Sequence, residues 1–306
     1  MAQKSIHIAL RCGRLGNRLV LFANFIAFCE EHGMHLSNVT FHSYAELFET
    51  TSRDIYCRYP VPGRRSVFDR LPGAAPFIRK TRIFYQLLRT ASRLNEKFRP
   101  FGRRIVTLRE FKDRPVTWLD DPLIQNQIAA ARIVLAYDWR FRAPAAMRKH
   151  AAKIRAYFRP VAAIERSVRE TLEPLRQQAD IVIGVHIRRG DYRTYEGGKY
   201  FFEIPRYAAW MRELAAQFPG RTAAFFVCSD EPRSRGEFAG LTVEIGAGPP
   251  INDLCTLAGC DFVLGPLSTF SQWASFYGNV PLLHLRGVDE HVDAAQFQVS
   301  FLEEIP

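Results

Sequence analysis

The chain has 306 residues, of which 47% are hydrophobic and 24% charged, proportions typical of a globular protein long enough for two domains. No segment approaches the ~18 consecutive apolar residues of a membrane span, and the N-terminal apolar run, Ile6 to Leu10, is shorter than a signal-peptide core of ~7 residues, so export is not expected. The formal net charge is +11, and the excess is local: Arg64 to Arg114 contain 15 Lys and Arg against 4 Asp and Glu, while the rest is close to neutral.

The chain opens with a pattern of strand, glycine loop and helix. Ile6 to Leu10 predict the strand, Gly13-Arg14-Leu15-Gly16-Asn17 the loop, and Arg18 to about Glu31 a helix that Gly33 would end. A helix N-terminus after such a loop gathers backbone N–H groups and the positive end of the helix dipole, which suits an anionic ligand. Because G-x-x-G loops also form plain tight turns, both interpretations stay open.

The pattern is weaker up to the middle of the chain. Val39 to His42 predict a second strand, the prolines and glycines between Pro60 and Pro76 indicate loop, and Thr81 to Phe98 predict a helix. Its helical period separates an apolar face from a basic one, which indicates either a solvated face over an ordinary core or a surface that meets an anionic partner or lipid headgroups. The apolar face holds Ile83, Phe84, Leu87, Leu88, Leu94 and Phe98, and the basic face holds Arg82, Arg89, Arg93 and Lys97.

A regular alternation of helices and strands follows a predicted strand at Ile133 to Tyr137 and a helix at Ala143 to Phe158. The domain boundary is placed close to Pro160. Strands that alternate with helices of this length indicate a parallel, doubly wound α/β sheet. The predicted helices are Ala163 to Gln178, Arg206 to Phe218, Asn252 to Ala258 and Thr269 to Phe276, and the predicted strands are Ile181 to Ile187, Ala223 to Cys228, Leu241 to Ile245, Asp261 to Leu264 and Pro281 to Leu285.

The segment from Ile181 to Ile187 is a run of mostly β-branched residues, which predicts a buried central strand. Arg188, Arg189, Gly190 and Asp191 follow it directly. In open α/β sheets, ligands bind beyond the carboxyl ends of the strands, and guanidinium groups placed there suit a phosphate. Pairing of the arginines with carboxylates such as Asp191 is the alternative.

A second strand end in the same half offers hydroxyl groups. Ser268 and Thr269 stand between the strand Asp261 to Leu264 and the following helix. Their hydroxyls and the N–H groups of the first helical turn can hold a phosphate, although capping of the helix alone also explains them.

Three segments resemble one known family. His186-Ile187-Arg188-Arg189-Gly190-Asp191 looks like the H-x-R-R-x-D motif of α-1,2-fucosyltransferases and their relatives that use GDP-fucose. Gly13-Arg14-Leu15-Gly16-Asn17 resembles the G-x-L-G-N loop of that family. Asp253-Leu254 together with Ser268-Thr269-Phe270-Ser271-Gln272-Trp273 is similar to its donor-site block, which usually reads S-S-F-S-W-W. The family usually has glutamine where this chain has Arg18, and a second tryptophan where it has Gln272.

The resemblance covers about residues 1–30 and 180–285. It implies a GT-B-like α/β fold in which two Rossmann-like, doubly wound domains face each other across a cleft, with GDP-fucose held mainly by the C-terminal one. The expected division is an acceptor-side domain at 1–160 with a basic insertion at about 64–114, a GDP-sugar-binding domain at 161–290, and a tail at 291–306 that packs back across the domains.

The resemblance also implies roles for the matched residues. Arg188 and Asn17 are the candidate catalytic residues: Arg188 would bind the β-phosphate, and Asn17 would reach the fucose or the acceptor hydroxyl from the other domain. His186 would position Arg188, whereas strand alternation points Arg189 away from the cleft. Asp191 is expected to be a structural carboxylate, and the catalytic base stays unassigned. The candidate donor-binding residues are His186, Arg188, Arg189, Asp191, Asp230, Asp253, Ser268, Thr269, Phe270 and Ser271, of which Asp230 and Asp253 would contact the guanine or ribose, and the N-terminal loop adds Gly13, Arg14, Leu15, Gly16 and Asn17.

No metal or other cofactor is expected, because the chain has no D-x-D carboxylate pair and its six cysteines are scattered without a C-x-x-C pair. The predicted activity is inverting, metal-independent transfer of L-fucose from GDP-fucose to a glycan hydroxyl, with an α-1,2 linkage to a galactoside. The expected partners are a GDP-sugar and a glycan acceptor that is anionic or lipid-linked, and no nucleic acid. The expected location is the cytoplasm, with peripheral contact at the inner membrane face through Arg89, Arg93 and Lys97. The alternatives are a phosphohydrolase that uses residues 186–191, or a polyanion-binding or nucleic-acid-binding protein that uses residues 64–114, which would leave the three loops unexplained.

Overall fold

The computed structural model describes residues 4–54, 56–63, 83–98 and 104–304. They form two compact units, of which the first ends at Val161 and the second begins at Ala162. The loop predicted between Pro60 and Pro76 falls largely on 64–82, outside the described residues. Of the basic insertion predicted at about 64–114, residues 64–82 and 99–103 also lie outside them. The helices are α1 Leu15–His32, α2 Ile83–Phe98, α3 Pro122–Ala130, α4 Pro144–Tyr157, α5 Ala162–Gln178, α6 Ile204–Ala215, α7 Pro250–Ala258 and α8 Thr269–Gly278. The strands are β1 Ser5–Ile8, β2 His35–Ser37, β3 Arg58–Tyr59, β4 Ile105–Leu108, β5 Thr117–Trp118, β6 Ile133–Ala136, β7 Phe141–Arg142, β8 Ile181–Ile187, β9 Ala223–Ser229, β10 Thr242–Ile245, β11 Phe262–Pro266 and β12 Leu282–Leu285.

The first unit is built on a five-stranded sheet in the order β3-β2-β1-β6-β4. All neighbours are parallel except β2 and β3, and Ile6 of the central strand lies opposite Leu36 on one side and Val134 on the other. Helix α1 is buried on nearly every side, as its apolar sequence predicts, and ends at Gly33, whose φ of 60° is the predicted left-handed cap.

One strand predicted in this unit is wrong. Residues Val39–Ser43 form a short 3₁₀ helix, and the second strand is the preceding segment, β2. The Thr40 hydroxyl donates to Asn38 Oδ1 at 2.6 Å, and the Phe41 N–H donates to the Asn38 carbonyl at 3.0 Å. Such local bonds offer the backbone an alternative to a sheet, and they override the strand propensity of valine, threonine and phenylalanine.

The second unit is built on an entirely parallel sheet in the order β10-β9-β8-β11-β12. All seven residues of β8 are buried, which confirms the predicted central strand. From β8 the chain adds β9 and β10 on one side, then crosses back and adds β11 and β12 on the other. The direction of strand order therefore reverses between β8 and β11, and in open α/β sheets that reversal opens a crevice at the carboxyl ends of the two strands.

The end of the described chain packs against the edge of this second sheet. Gln298 forms an antiparallel bridge with Leu282 of β12, Leu302 is fully buried, and Arg286 pairs with Glu304 at 2.8 Å. All six cysteines are free thiols. None of the helices in the described ranges is both long and apolar enough to span a membrane.

Candidate active site

The loops after β8 and β11 lie side by side, because Val185 of β8 pairs with Leu264 of β11 near their carboxyl ends. The first loop carries the charged residues that follow β8, and the second leads from Leu267 into helix α8. Two of the three loops that the sequence singles out therefore meet at the reversal point of the parallel sheet, where ligands of this fold class bind.

Arg188 is the partly exposed guanidinium of the site. Its Nε donates to Asp191 Oδ1 at 2.9 Å and its Nη2 to Asp191 Oδ2 at 2.6 Å, while its guanidinium lies 4.9 Å from the centre of the Tyr192 ring. Burial lowers the pKa of Arg188, but the hydrogen bonds to Asp191 and the electrostatic influence of Tyr192, Asp191 and Asp230 together outweigh burial, and the net shift is upward. The pairing with Asp191 that the sequence left open as an alternative is therefore present.

Arg189 has a different environment from its neighbour. It is 7% exposed, and its Nη1 donates to the Phe202 carbonyl and to Glu203, both at 2.8 Å. Its Nε pairs with Glu231 at 3.3 Å. These contacts tie the loop after β8 to two later segments of the unit, so Arg189 holds the loop in place.

His186 links the central strand to helix α8. Its Nδ1 shares a hydrogen bond of 2.8 Å with the Ser271 hydroxyl, and its ring lies 4.9 Å from that of Phe270. Burial, reinforced by the charges of Arg188 and His284, lowers the pKa of His186 to about 3, so the imidazole is neutral at physiological pH. The structure thus places the predicted residues His186, Phe270 and Ser271 together, with the hydrogen bond of His186 directed to Ser271.

The N-terminus of α8 faces the same crevice edge. Ser268 is buried and its hydroxyl accepts a hydrogen bond of 3.2 Å from the Phe270 N–H, so it caps the helix, and Thr269 is buried beside it. A capped helix still concentrates N–H groups and the positive dipole end at this point. The arrangement suits an anion, with the backbone as the main donor.

Tyr192 is a residue that sequence reasoning missed. Its hydroxyl donates to the Leu267 carbonyl at 2.6 Å, and burial raises its pKa to about 12, so it stays protonated. It therefore locks the loop after β8 to the loop after β11. Its position directly after the His186 to Asp191 motif was the available signal.

A cavity of about 350 Å³ lies at the ends of β9 and β10, next to the loop after β8. Asp230 and Asp253, which the sequence nominated separately, both line it. Asp230 Oδ1 accepts the Arg189 backbone N–H at 2.9 Å, which joins the cavity wall to the guanidinium loop. Gly246 belongs there because a Cβ at this position would lie 2.5 Å from Asp253 Oδ1.

Asp253 is a carboxyl of this cavity whose pKa burial shifts strongly. Burial raises the pKa of its carboxyl to about 7, so it exchanges between the neutral and ionised forms near physiological pH. A carboxylate in a partly closed cavity is a strong acceptor for paired N–H donors, such as those on one edge of guanine.

The glycine loop of the first unit is organised around two side chains. Helix α1 begins at Leu15, earlier than the predicted Arg18, so Gly16 and Asn17 belong to its first turn. Gly13 has a φ of 43°, and a Cβ there would lie 2.5 Å from Asn17 Nδ2. The glycine therefore lets the Asn17 amide fold against the loop.

Arg18 holds this loop from inside the unit. It is 5% exposed and donates to the carbonyls of Cys12 at 3.1 Å and Gly13 at 3.3 Å, and to the Ser43 hydroxyl at 2.8 Å. Its departure from the family pattern thus has a structural role. Gln272, the other departure, is fully buried in α8, and its amide N and O have no hydrogen-bond partner among the described residues.

Within the part of the chain that the structure describes, no group of three or more His, Cys, Asp or Glu side chains is arranged to hold a metal ion. The expectation of metal-independent chemistry stays a prediction.

Residues 149–281, which include β8, β11 and both loops of the crevice, match the family described as Glycosyl transferase family 11. The protein is a glycosyltransferase, and this stretch, which is less than half of the chain, is similar to that family. The match confirms the resemblance seen in the motifs at 186–191 and 253–273, and it favours neither the phosphohydrolase nor the polyanion-binding alternative. The loop Gly13 to Asn17 lies outside the matched residues. No curated protein sequence matches the chain.

Solved structures of fucosyltransferases resemble this glycosyltransferase in fold, which confirms the predicted α/β architecture of GT-B type. A mutant of Arabidopsis thaliana FUT1 in complex with GDP is 13% identical, with a TM-score of 0.58, and the match covers 97% of this chain and 74% of that one. NodZ from Bradyrhizobium is 15% identical, with a TM-score of 0.53, and the match covers 93% of this chain and 95% of that one. POFUT1 in complex with GDP-fucose is 12% identical, with a TM-score of 0.51, and the match covers 94% of this chain and 97% of that one.

Proposed function

We propose that this glycosyltransferase transfers L-fucose from GDP-fucose to a hydroxyl group of a glycan acceptor, with inversion at the anomeric carbon and without a metal ion. The observation that carries the proposal is the crevice between β8 and β11, where Arg188 and the N-terminus of α8 lie at adjacent strand ends. Structural relatives that bind GDP or GDP-fucose support the choice of donor. For the acceptor we favour a galactoside and an α-1,2 linkage, by resemblance to the family.

The reaction breaks the bond between the fucose anomeric carbon and the β-phosphate oxygen, and forms a bond from that carbon to the acceptor oxygen. The acceptor proton leaves with a base, and GDP leaves with a developing negative charge. Arg188 would stabilise that charge with parallel N–H donors, and the first turn of α8 would add backbone N–H groups. His186 is neutral, so it serves to hold Ser271 and α8 in position.

The cavity beside the loop after β8 suits the nucleoside end of the donor. Neighbouring strands lie ~5 Å apart, so the cavity at the ends of β9 and β10 is within reach of a nucleotide whose diphosphate occupies the crevice. Asp253 would accept N–H donors from the guanine edge, an arrangement that a uracil or cytosine ring cannot reproduce.

Thermal unfolding with a panel of nucleotides tests the donor. A ligand bound by the folded state alone stabilises it by ~2.7 kcal/mol at a concentration of 100 times Kd. GDP and GDP-fucose are expected to raise Tm, and UDP, CMP and ADP to leave it unchanged. Equal shifts with GDP and UDP would overturn the assignment of the donor.

A further inference from the structure

Helix α2 presents apolar side chains to the solvent. Leu87, Leu94 and Phe98 are 60%, 49% and 63% exposed, and Ala91 between them is also exposed. Their spacing of four, three and four residues places them in one stripe along the helix. Three large apolar side chains in a continuous stripe form an interaction surface, unlike scattered exposed leucines.

The buried side chains that the structure describes in α2 are polar. Ser92 and Asn95 are 1% and 5% exposed, Asn95 Nδ2 donates to the Ile105 carbonyl at 3.1 Å, and the Thr107 hydroxyl donates to the Ser92 carbonyl at 3.3 Å. These bonds attach α2 to strand β4. The interpretation in which the apolar face covers an ordinary core is therefore wrong for Leu87, Leu94 and Phe98.

Basic side chains border the exposed stripe. Arg93 and Lys97 are exposed, one helical turn apart, and Lys97 Nζ lies 5.1 Å from the centre of the Phe98 ring. The side chain of Arg89 lies outside the described ones. Long basic side chains beside an apolar stripe can extend to phosphate groups while the stripe lies deeper, the arrangement of helices that rest in a membrane interface.

We propose that this face of α2, formed by Leu87, Leu94 and Phe98 with Arg93 and Lys97, docks the protein onto an anionic lipid surface. Charge decides the occupant: α2 lies within the segment Arg64 to Arg114, which has 15 basic and 4 acidic residues. A second copy of the same face would bring two such segments together and repel, whereas anionic headgroups attract them by a sequence-independent field.

Co-sedimentation of the purified full chain with vesicles tests the proposal. Vesicles of phosphatidylcholine mixed with phosphatidylglycerol are expected to bind the protein, pure phosphatidylcholine vesicles much less, and added salt should weaken binding. The triple variant Leu87→Ser, Leu94→Ser, Phe98→Ser should reduce partitioning onto anionic vesicles by about tenfold or more because it removes the inserted apolar area. Arg93→Glu with Lys97→Glu should do the same by reversing the attraction.

Two matched variants control for exposure and charge. Leu123 and Val288 are 56% and 55% exposed elsewhere, and Arg166 and Arg169 are exposed on α5; Leu123→Ser with Val288→Ser, and Arg166→Glu with Arg169→Glu, should bind vesicles as the wild type does. Unchanged Tm and GDP affinity show that each variant is folded. Failure of the wild type to bind anionic vesicles overturns the proposal, as does wild-type binding by both α2 variants. A wild-type dimer that the triple variant converts to a monomer overturns it in favour of a second copy.

Discussion

Arg188 and Arg189 are adjacent at the end of β8 but have different roles, because their surroundings differ. Arg189 is buried among Phe202, Glu203 and Glu231, whereas the side chain of Arg188 is 20% exposed and its partner Asp191 is 50% exposed. Because the Asp191 side chain is half exposed, water can solvate its carboxylate when another anion pairs with Arg188. A diphosphate can therefore take the place of Asp191, whereas the buried guanidinium of Arg189, which donates to the Phe202 carbonyl, is not accessible to a ligand.

Arg188→Lys is expected to fold normally and to lose most of its transfer activity. Lysine keeps the charge but cannot supply two parallel N–H donors to phosphate oxygens. Loss of one well-placed donor at a developing oxyanion typically costs ~10²–10³ in kcat, and steady-state kinetics with GDP-fucose should show a loss of that order. Activity within about threefold of the wild type would place stabilisation of the leaving group elsewhere, because the loss expected from such a donor is far larger. As the control, Arg189→Lys should lower Tm, since it disrupts the hydrogen bonds of a buried guanidinium to the Phe202 carbonyl, Glu203 and Glu231.

Asp253→Asn is expected to raise stability and lower GDP affinity together. The folded carboxyl has a pKa of about 7, above its ordinary value of 3.8, so folding opposes its ionisation. The resulting destabilisation of the folded wild type grows as pH rises from 3.8 to about 7 and is complete above 7. At those pH values the neutral amide of Asp253→Asn should give a higher Tm than the wild type. GDP binding needs the carboxylate, so wild-type affinity should fall by up to about tenfold per pH unit below 7.

The controls for Asp253 are the variant itself and the wild type at matched pH. Titration calorimetry from pH 5.5 to 8.5 should show a pH-dependent affinity in the wild type and a flat, weak one in Asp253→Asn. Equal GDP affinity for the two proteins at pH 8 would show that Asp253 does not bind the guanine.

At the scale of elements, the geometry of helix α1 and the loop before it depends on Gly13. The Asn17 amide is folded against the glycine, and Arg18 holds the carbonyls of Cys12 and Gly13 from within. The family pattern at this loop is therefore a packing requirement as well as a chemical one.

Gly13→Ala is expected to reduce transfer activity, whereas Gly33→Ala is not. Both glycines have positive φ, so each alanine should cost about 1–2 kcal/mol in the free energy of unfolding. Only the Cβ at position 13 meets Asn17; at position 33 it meets nothing within 4 Å. Urea unfolding and kinetics on both variants separate the two effects. Equal activity in the two would show that Asn17 needs no such positioning.

Helix α2 shows what periodicity omits. The apolar and basic residues recur with the helical period, and the helix Ile83–Phe98 confirms that part of the predicted Thr81 to Phe98, with 81 and 82 outside the described residues. Periodicity says that a helix has two faces, but not which face its neighbour covers. Here β4 supplies polar partners to Ser92 and Asn95, so the polar face of α2 is the buried one. The neighbouring strand, and not the period of the helix, determines which face is covered.

At the scale of the whole molecule, each unit is an α/β fold built on a mostly parallel sheet. The charged candidate site residues lie at strand ends of the second unit. The anionic leaving group would be met there by a guanidinium and a helix N-terminus. These are permanent positive groups, and they can do the work of a metal ion on a departing diphosphate.

Transfer from GDP-fucose is therefore expected to survive EDTA with little loss. The rate should be measured after dialysis against the chelator and again after addition of Mn²⁺ or Mg²⁺. An untreated sample carried through the same dialysis is the control. Recovery of a lost rate on adding either ion would refute metal independence.

Local sequence determined the central strand β8, the alternation that builds the second sheet, and the three loops, because burial, period and turn chemistry are properties of consecutive residues. The match with Glycosyl transferase family 11, over residues 149–281, includes β8 and two of these three loops. The short strands of the first unit were not predictable in this way: β3, β5 and β7 have two residues each and exist through their partners.

Only the tertiary structure decided which of these residues meet. Asp230 and Asp253 share a cavity because β9 and β10 are neighbours, and Tyr192 reaches Leu267 because β8 and β11 are. The difference between Arg188 and Arg189 arises in the same way, from carboxylates and carbonyls supplied by distant parts of the chain. A sequence pattern carries the period of one element, whereas burial, pKa and pairing depend on what the other elements place beside it.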